Sequence, residues 1–169
     1  MSLVERDTKP AKGCQTWATP WEFIRAVEVR FGPIHADLAC TRENAKAGVG
    51  LFHPDVDALA VSWADRFPDG VLFVNPPFAK IEPWAAKCAI ESTRRKGLIL
   101  MLTPAAIGTD WFAAHVHRKA QVIGIRPRIP FDGTPINPKT GKPDGFPKDL
   151  MLTVYGLGFS GFDTWRWRS

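Results

Sequence analysis

Two apolar runs in the middle of the chain have the length and composition of buried β-strands. Residues 71–74 read Val-Leu-Phe-Val and residues 98–102 read Leu-Ile-Leu-Met-Leu, and proline follows each run within two residues. Between them, apolar residues recur at the three- and four-residue spacing of a helix: Ile81, Trp84, Ala85, Cys88 and Ala89. A strand, a helix and a strand in this order form a βαβ unit, so we predict two parallel strands within residues 71–104.

Similar patterns predict further elements on both sides of this unit. Thr19 and Pro20 are typical of a helix N-cap and a first helical residue, and apolar positions at helical spacing continue to Phe31. We also predict a helix that follows Thr109, and strands at residues 34–40, 121–125, 129–131 and 150–155, the last of these being the final strand of the chain.

Turn and capping residues set the predicted boundaries. The cations at residues 94–96 would occupy the last turn of the central helix, and Gly97 would end it. Residues 42–54 are predicted as a short helix or a loop, and residues 55–59 as a strand and a turn. Residues 132–149 form a long loop rich in glycine, proline and lysine, and loops of this length usually carry function or are disordered.

Length and composition indicate one globular domain. The chain has 169 residues, of which 45% are hydrophobic and 23% charged. Residues 1–14 are polar and are expected to form a flexible tail before a single domain over residues 15–169. The N-terminus has no signal-peptide pattern, and no apolar run is long enough to cross a membrane. We therefore expect a cytoplasmic protein without a membrane partner.

Charge and cysteine content give limited information about binding partners and metal sites. The net charge of +5 permits a polyanionic partner without requiring one. The three cysteines are scattered, with no closely spaced pair, which argues against both a disulfide framework and a zinc site and favours a reducing compartment. We therefore expect no metal ion.

The most informative stretch is the turn that follows residues 71–74. The apolar run stops at Asn75, and the consecutive prolines Pro76 and Pro77 fix the backbone before the aromatic ring of Phe78. An amine attached to an aromatic ring is a poor nucleophile because its lone pair is delocalised. The Asn75 amide oxygen and the Pro76 carbonyl could each accept an N–H bond from such an amine, which restores its nucleophilicity without a strong base. Phe78 would offer a face on which a base can stack.

Two polar residues elsewhere leave alternatives open. Asp37 lies near the end of an apolar strand, where a charge is costly unless it is paired or faces a polar ligand, and the alternative is an ordinary surface aspartate. Thr19 has two possible roles, the plain start of a helix and a ligand contact.

The turn and its surroundings resemble a known family. Asn75-Pro76-Pro77-Phe78 resembles the (D/N)PP(Y/F) motif of S-adenosylmethionine-dependent amino-methyltransferases, and the whole chain resembles the small phage-type DNA N-6-adenine methyltransferases. The resemblance covers about residues 15–156 in an ordered series of segments: Trp17-Ala18-Thr19-Pro20, Asp37-Leu38-Ala39-Cys40 with Asn44, Asp57-Ala58-Leu59 with Trp63, Leu102-Thr103-Pro104, Asp110-Trp111-Phe112 with His115, and Arg128-Ile129-Pro130-Phe131. The glycine-rich FxGxG cofactor pattern of larger members is absent from the sequence.

The resemblance implies a fold, a reaction and a set of site residues. The fold would be α/β and Rossmann-like: a mostly parallel sheet flanked by helices, with an antiparallel C-terminal strand. The reaction would move a methyl group from S-adenosylmethionine to the exocyclic nitrogen of adenine in DNA and release S-adenosylhomocysteine. The catalytic residues would be Asn75, Pro76, Pro77 and Phe78, and the cofactor-binding residues would be Trp17, Thr19, Pro20, Asp37, Ala39, Cys40, Asn44 and Asp57.

Within this interpretation, Asp37 would bind the methionine part of the cofactor and Asp57 would lie beside its adenosine. Recognition of DNA would fall in residues 105–149. The basic residues that would contact DNA are Arg126, Arg128, Lys139, Lys142 and Lys148, with Arg166 and Arg168 as further candidates, and the alternative for each is a solvated surface charge. No obligatory protein partner is inferred.

Two other functions remain open from the sequence. Glutamine methylation on a protein uses a similar Asn-Pro-Pro-aromatic turn. A non-catalytic DNA-binding phage accessory protein could retain the same fold without the reaction.

Overall fold

The computed structural model describes residues 18–143 and 145–169. The predicted tail at residues 1–14 and the candidate cofactor residue Trp17 lie outside the described residues. The elements in chain order are α1 (Trp21–Phe31), β1 (Ile34–Cys40), β2 (Gly50–Phe52), α2 (Trp63–Arg66), β3 (Val71–Val74), α3 (Glu82–Glu91), β4 (Ile99–Pro104), α4 (Asp110–His115), β5 (Gln121–Arg126), β6 (Leu150–Tyr155) and β7 (Gly161–Arg166).

The seven strands form one mixed sheet in the order β2-β1-β3-β4-β6-β5-β7. The four strands from β2 to β4 run parallel, and β6 runs antiparallel to both β4 and β5. This arrangement confirms the predicted fold class, including the parallel βαβ unit and the antiparallel strand near the C-terminus. The register places Asp37 of β1 beside Phe73 of β3, so the carboxyl ends of these two strands meet at one edge of the sheet.

The side chains of β3 show how the sheet divides the core. All four residues of β3 are buried, because helices cover both faces of the sheet. Leu72 and Val74 pack in one cluster with Ala85 and Cys88 of α3. Val71 and Phe73 pack in a second cluster on the opposite face, which also contains Phe23, Ile24 and Val27 of α1. Alternation along a strand sends successive side chains to opposite faces, so the two clusters follow from the strand geometry.

The central helix ends earlier than the sequence predicts. α3 stops at Glu91 with Ser92 as its C-cap, so the cations at residues 94–96 are not in its last turn. The guanidinium of Arg95 instead donates hydrogen bonds to the carbonyls of Phe67, Leu98 and Gly70, and Arg95 is buried. The carbonyls of Phe67 and Gly70 belong to the loop before β3, and their bonds to Arg95 hold the chain away from a helical path. Gly97 has a φ of +91° and approaches Gly70 closely, so it has the left-handed conformation of a C′ residue without ending the helix directly.

Four other sequence predictions of secondary structure are wrong. Residues 129–131 form no strand: Pro130 has no N–H to donate, and the Ile129 carbonyl accepts a bond from Phe146 in the following loop. Residues 55–59 form turns, while residues 42–54 contain the short parallel strand β2. The chain also continues after β6 into β7, which pairs in parallel with β5 from Gln121–Gly161 to Arg126–Arg166.

The strand β7 could not be predicted from the sequence because its side chains are almost all exposed, so it has no pattern of buried and exposed positions.

Within residues 18–143 and 145–169, no helix is long and apolar enough to cross a bilayer.

Candidate active site

A cavity opens at the edge of the sheet where the carboxyl ends of β1 and β3 meet. Ligands of open α/β sheets bind at such an edge. Its volume is about 560 Å³, which lies within the roughly 300–1,000 Å³ of small-molecule pockets. Its walls come from part of the residues in segments 18–19, 37–46, 51–58 and 73–77, together with Trp84 of α3. We refer to it as the β1–β3 cavity.

Asp37 lines this cavity and is only 3% exposed, which contradicts the alternative of an ordinary surface aspartate. Its Oδ2 accepts the backbone N–H of Lys46 at 2.9 Å, and its Oδ1 accepts the N–H of Ala39 at 3.3 Å. Burial raises the pKa of Asp37 above its ordinary value, because desolvation outweighs these two hydrogen bonds and the nearby charge of Lys46. A carboxylate in this setting gains from a cationic ligand group that would restore the missing solvation.

Lys46 is a cavity residue that the sequence interpretation missed. It is 7% exposed, and its Nζ lies 5.0 Å from the ring centroid of Trp21 at the start of α1. A lysine in a polar loop gives no sequence signal of burial. Its position depends on the loop after β1 packing against a helix that precedes β1 in the chain.

Five other predicted cofactor residues also line the cavity: Thr19, Ala39, Cys40, Asn44 and Asp57. Pro20 is not among the lining residues. Asn44 and Asp57 stabilise the loops in which they lie through local hydrogen bonds. Asn44 Oδ1 accepts the N–H of Thr41 at 2.7 Å, and Asp57 Oδ1 accepts the N–H of Leu59 at 2.9 Å. The structure adds an apolar part of the wall that the sequence interpretation did not include: Leu51, Pro54, Val56, Ala58 and Trp84.

Cys40 contributes a neutral thiol to the cavity wall. Its Sγ donates to the Asp37 carbonyl at 3.4 Å. Burial, together with the charge of Asp37, raises the pKa of the Cys40 thiol to about 12, so it is not a thiolate nucleophile at neutral pH. In the part of the chain that the structure describes, no cluster of His, Cys, Asp or Glu side chains could hold a metal ion.

Asn75 follows directly after β3 and lines the same cavity. Its Nδ2 donates a hydrogen bond of 2.9 Å to the hydroxyl oxygen of Thr19, which is 56 residues away in the chain. Thr19 is not the N-cap that the sequence predicts: α1 begins at Trp21, Pro20 is its N-cap, and no side chain caps it. The Thr19 hydroxyl therefore serves the cavity rather than the helix.

The rest of the Asn-Pro-Pro-Phe turn borders the long loop at residues 132–149. Pro76 is buried, Pro77 lines the cavity, and Phe78 is half-buried outside the lining. The ring of Phe78 meets the ring of Phe146 edge-on at 5.5 Å between centroids, and Phe146 meets Phe131 in the same way at 5.7 Å. The row of three rings connects the turn to the end of the loop.

The start of the loop is attached to the same site. The backbone N–H of Asp132 donates to the carbonyl of Ala18 at 3.1 Å, and Ala18 lines the cavity beside Thr19. The long loop is therefore attached near its start to Ala18 of the cavity wall and near its end to Phe78 of the turn, while its lysines at positions 139, 142 and 148 are exposed.

The structure divides the remaining basic candidates. Arg126 and Arg166 are exposed and lie side by side in the register of β5 and β7. Arg128 pairs with Asp149 at 3.2 Å and Arg168 with Glu22 at 3.5 Å. Exposed ion pairs of this kind contribute little stability, so they could exchange for a phosphate at small cost.

Comparison with known proteins gives two consistent matches. The family model described as DNA N-6-adenine-methyltransferase (Dam) matches residues 6–155. A protein of Escherichia phage T1 named DNA N-6-adenine-methyltransferase is 30% identical over 109 residues, which cover 64% of this chain and 44% of the phage protein. The chain thus matches less than half of the length of that relative.

Proposed function

Because the chain belongs to the DNA N-6-adenine-methyltransferase (Dam) family, we propose that it transfers a methyl group from S-adenosylmethionine to the exocyclic amine of adenine in DNA. The observation that carries the proposal is the β1–β3 cavity, in which the buried carboxylate of Asp37 lines the same space as Asn75 and Pro77 of the Asn-Pro-Pro-Phe turn. A methyl donor and a methyl acceptor can meet there.

The lining of the cavity fits S-adenosylmethionine in size and in chemistry. The buried carboxylate of Asp37 would pair with the ammonium of the methionine part. The ammonium of Lys46 would pair with the carboxylate of the methionine part. The apolar wall that contains Leu51, Val56 and Trp84 suits the adenine ring. When bound, S-adenosylmethionine would supply a methyl carbon attached to a sulfonium, and this carbon needs only a nucleophile for transfer.

The turn after β3 supplies what an aromatic amine lacks. We propose that the Asn75 Oδ1 atom and the Pro76 carbonyl accept the two N–H groups of the target amine, which concentrates the lone pair on nitrogen. Acceptors suffice to activate the nitrogen, and the neutral amide of Asn75 provides one. As the nitrogen–carbon bond forms and the carbon–sulfur bond of the donor breaks, the methylated nitrogen would release its surplus proton to water. The consecutive prolines keep the two acceptors in a fixed relation because their φ angles cannot vary.

Adenine in a duplex must leave the base stack to reach such a turn, which costs a few kcal/mol. We propose that the ring of Phe78 stacks on the extruded base, a contact worth about 1–3 kcal/mol. The long loop and its neighbours, within residues 105–149, would bind the flanking DNA. The exposed lysines of the loop and the adjacent cations would neutralise phosphates: Arg126, Arg128, Lys139, Lys142 and Lys148.

The proposal is tested by incubating the purified protein with S-adenosylmethionine labelled on its methyl group and with DNA or a protein extract as acceptor. We expect label in DNA that chromatography identifies as N6-methyladenine. Label in glutamine of the protein fraction would instead establish the protein methyltransferase. Absence of S-adenosylmethionine binding in calorimetry would point to a non-catalytic DNA-binding protein.

The matched variant is Asn75→Ala. Loss of an acceptor that acts on the reacting group typically lowers turnover by about 10²–10³-fold. We expect a loss of at least this size with an S-adenosylmethionine Kd within about twofold of wild type, since a twofold change corresponds to only about 0.4 kcal/mol. Near-normal turnover on DNA would show that Asn75 is not the acceptor of the target amine.

A further inference from the structure

We propose that Arg126 and Arg166 together form one binding site for a backbone phosphate of DNA, and that the pairing of β5 with β7 builds this site. The inference rests on the proposed function for its ligand, DNA. It adds a contact from a part of the chain that the family match does not cover, since the family model ends at residue 155 and β7 spans Gly161–Arg166.

The two arginines lie at the edge of the sheet that carries the β1–β3 cavity. Because β6 is antiparallel to both β4 and β5, and β7 is parallel to β5, the strands β3, β4, β5 and β7 all run in one direction. Arg126 and Arg166 end β5 and β7 as Asn75 follows β3. β5 and β7 are three and four strands away from β3, or about 14–19 Å at about 4.8 Å per strand. This span corresponds to about four to six base pairs of duplex, so DNA that delivers a base to the turn can continue past both arginines.

The strand register places two like charges side by side. Arg126 and Arg166 are paired in the register of β5 and β7, so their side chains leave the same face of the sheet, and both are exposed. The acid of β7, Asp163, alternates to the opposite face and pairs with Arg30 of α1 at 3.3 Å. Like charges directly across a strand pair destabilise it. The pairing therefore costs stability in the free protein, and an anion bound between the two arginines would remove that cost.

The two guanidinium groups differ from their neighbours in having no acidic partner. Arg128 pairs with Asp149 at 3.2 Å and Arg168 with Glu22 at 3.5 Å, whereas the guanidinium groups at the ends of β5 and β7 have no ion pair or hydrogen bond among the residues that the structure describes. A guanidinium presents parallel N–H groups that match the oxygens of a phosphate. Two of them that start about 4.8 Å apart can contact both free oxygens of one phosphodiester.

The backbone that carries the two arginines is held in place by Trp167. Its N–H donates to the carbonyl of Arg126 at 3.0 Å, and its indole Nε1–H donates to the carbonyl of Pro127 at 2.8 Å. The Trp167 ring is buried and meets the ring of Phe23 edge-on at 5.3 Å between centroids. These contacts join the chain after β7 to the end of β5, so the separation of the two arginine backbones is fixed before DNA binds.

The test measures the affinity for a short DNA duplex of mixed sequence by fluorescence anisotropy over a range of salt concentrations, with Arg126→Gln, Arg166→Gln and the double variant. Each single substitution should weaken binding at fixed salt by about 3- to 10-fold, the effect of charged hydrogen bonds at an exposed site. Because the remaining arginine still neutralises the phosphate, the slope of log affinity against log salt should change little in the single variants and fall by about 0.9 in the double variant. The control is Lys96→Gln, which removes an exposed charge before β4, at the opposite edge of the sheet, and should leave the affinity close to wild type.

Two further readouts separate phosphate binding from structural support. Without DNA, each single substitution should keep or raise the urea midpoint at low salt, because it relieves the repulsion between the two guanidinium groups. In methylation assays the double variant should show a raised KM for DNA, with kcat at saturating DNA and the Kd for S-adenosylmethionine unchanged, as expected when only uniform substrate binding is lost. A lowered urea midpoint in both single variants would show that the arginines support the fold instead.

The outcomes distinguish a failure of this site from a failure of the proposed function. A wild-type protein that methylates DNA, with a double variant that keeps the wild-type affinity and salt slope, overturns the arginine site and leaves the proposed function standing. A slope that falls by about 0.9 in each single variant also overturns the shared site, because the two arginines would then bind separate phosphates. An equal loss of affinity in Lys96→Gln does the same. A wild-type protein that binds DNA without methylating it overturns the proposed function, and the anisotropy series still decides the arginine site. A wild-type protein without affinity for DNA overturns both.

Discussion

Replacing Asp37 by asparagine tests whether the buried carboxylate is the group that binds the cationic end of the methyl donor. The side chain is 3% exposed, and its two oxygens accept backbone N–H groups of Ala39 and Lys46 at 3.3 and 2.9 Å. Asparagine keeps the shape and one acceptor. The change therefore removes the negative charge and at most one of these two hydrogen bonds.

The expected loss follows from the kind of contact. A hydrogen bond to a charged group contributes about 1.5–3 kcal/mol, and each 1.4 kcal/mol is a factor of ten in affinity. Asp37→Asn should therefore weaken S-adenosylmethionine binding by about 10- to 150-fold. Isothermal calorimetry at neutral pH measures this directly. Asp55→Asn is the matched control: it removes the same charge from an exposed residue that pairs with Arg42 outside the cavity lining, so the Kd should not change.

The pH dependence gives an independent check. Burial raises the pKa of Asp37 above its ordinary value of 3.8. A raised carboxyl pKa contributes stability that is present below the unfolded-state pKa and is lost as pH rises through the folded-state pKa. In the protein without cofactor, the free energy of unfolding of Asp37→Asn should therefore rise relative to wild type as pH increases through this window. Cofactor binding to wild type should weaken as pH falls through the same window, because binding uses the ionised form. An unchanged Kd in Asp37→Asn, with a folded protein, would refute the assignment.

Two further predictions concern the long loop and the turn before β4. Changing the three loop lysines to glutamine should lower the slope of log affinity for DNA against log salt concentration by up to about 3, since each phosphate contact contributes about 0.9; these are Lys139, Lys142 and Lys148. Lys96→Gln removes an exposed charge outside residues 105–149, and an equal effect per charge there would contradict a DNA-binding role of the loop. Gly97→Ala should lower the free energy of unfolding by about 1–3 kcal/mol in urea, because Gly97 has a φ of +91° and a Cβ there would meet the Gly70 backbone. Gly108→Ala, where a Cβ meets no atom within 4 Å, should change it little, and similar losses in both variants would argue against backbone strain at Gly97.

Some of the candidate site was readable from the sequence for local reasons. The apolar runs that became β3 and β4 predict buried strands by composition alone, and the consecutive prolines mark the end of β3. The sequence alone therefore predicts that Asn75 lies at the end of a strand, where ligands of α/β sheets bind. The resemblance to the phage-type family rested on the same motif and its order along the chain, and the family match over residues 6–155 confirms it.

The predictions that failed depended on contacts between distant segments. Residues 94–96 have the composition of a helix C-terminus, yet Arg95 bonds to carbonyls of a loop about 25 residues earlier, and this contact ends α3 at Glu91. The exposed strand β7 exists only because β5 offers it an edge to pair with. Local pattern contains no information about either partner.

The sequence by itself determined the family, the fold class and the rigid turn at Asn75, because hydrophobic periodicity, prolines and an ordered set of motifs are properties of neighbouring residues. Only the tertiary structure decided that Asp37 is buried with a raised pKa, that Lys46 faces the same cavity, and that Thr19 holds the amide of Asn75 instead of capping α1. The physical reason is tertiary packing: the parallel order of β1 and β3 brings Asp37 and Asn75 to one sheet edge, and the segment before α1 packs there as well. Residues that the chain separates by up to 56 positions thus meet in one cavity, and their burial, charge and hydrogen bonding arise from that juxtaposition.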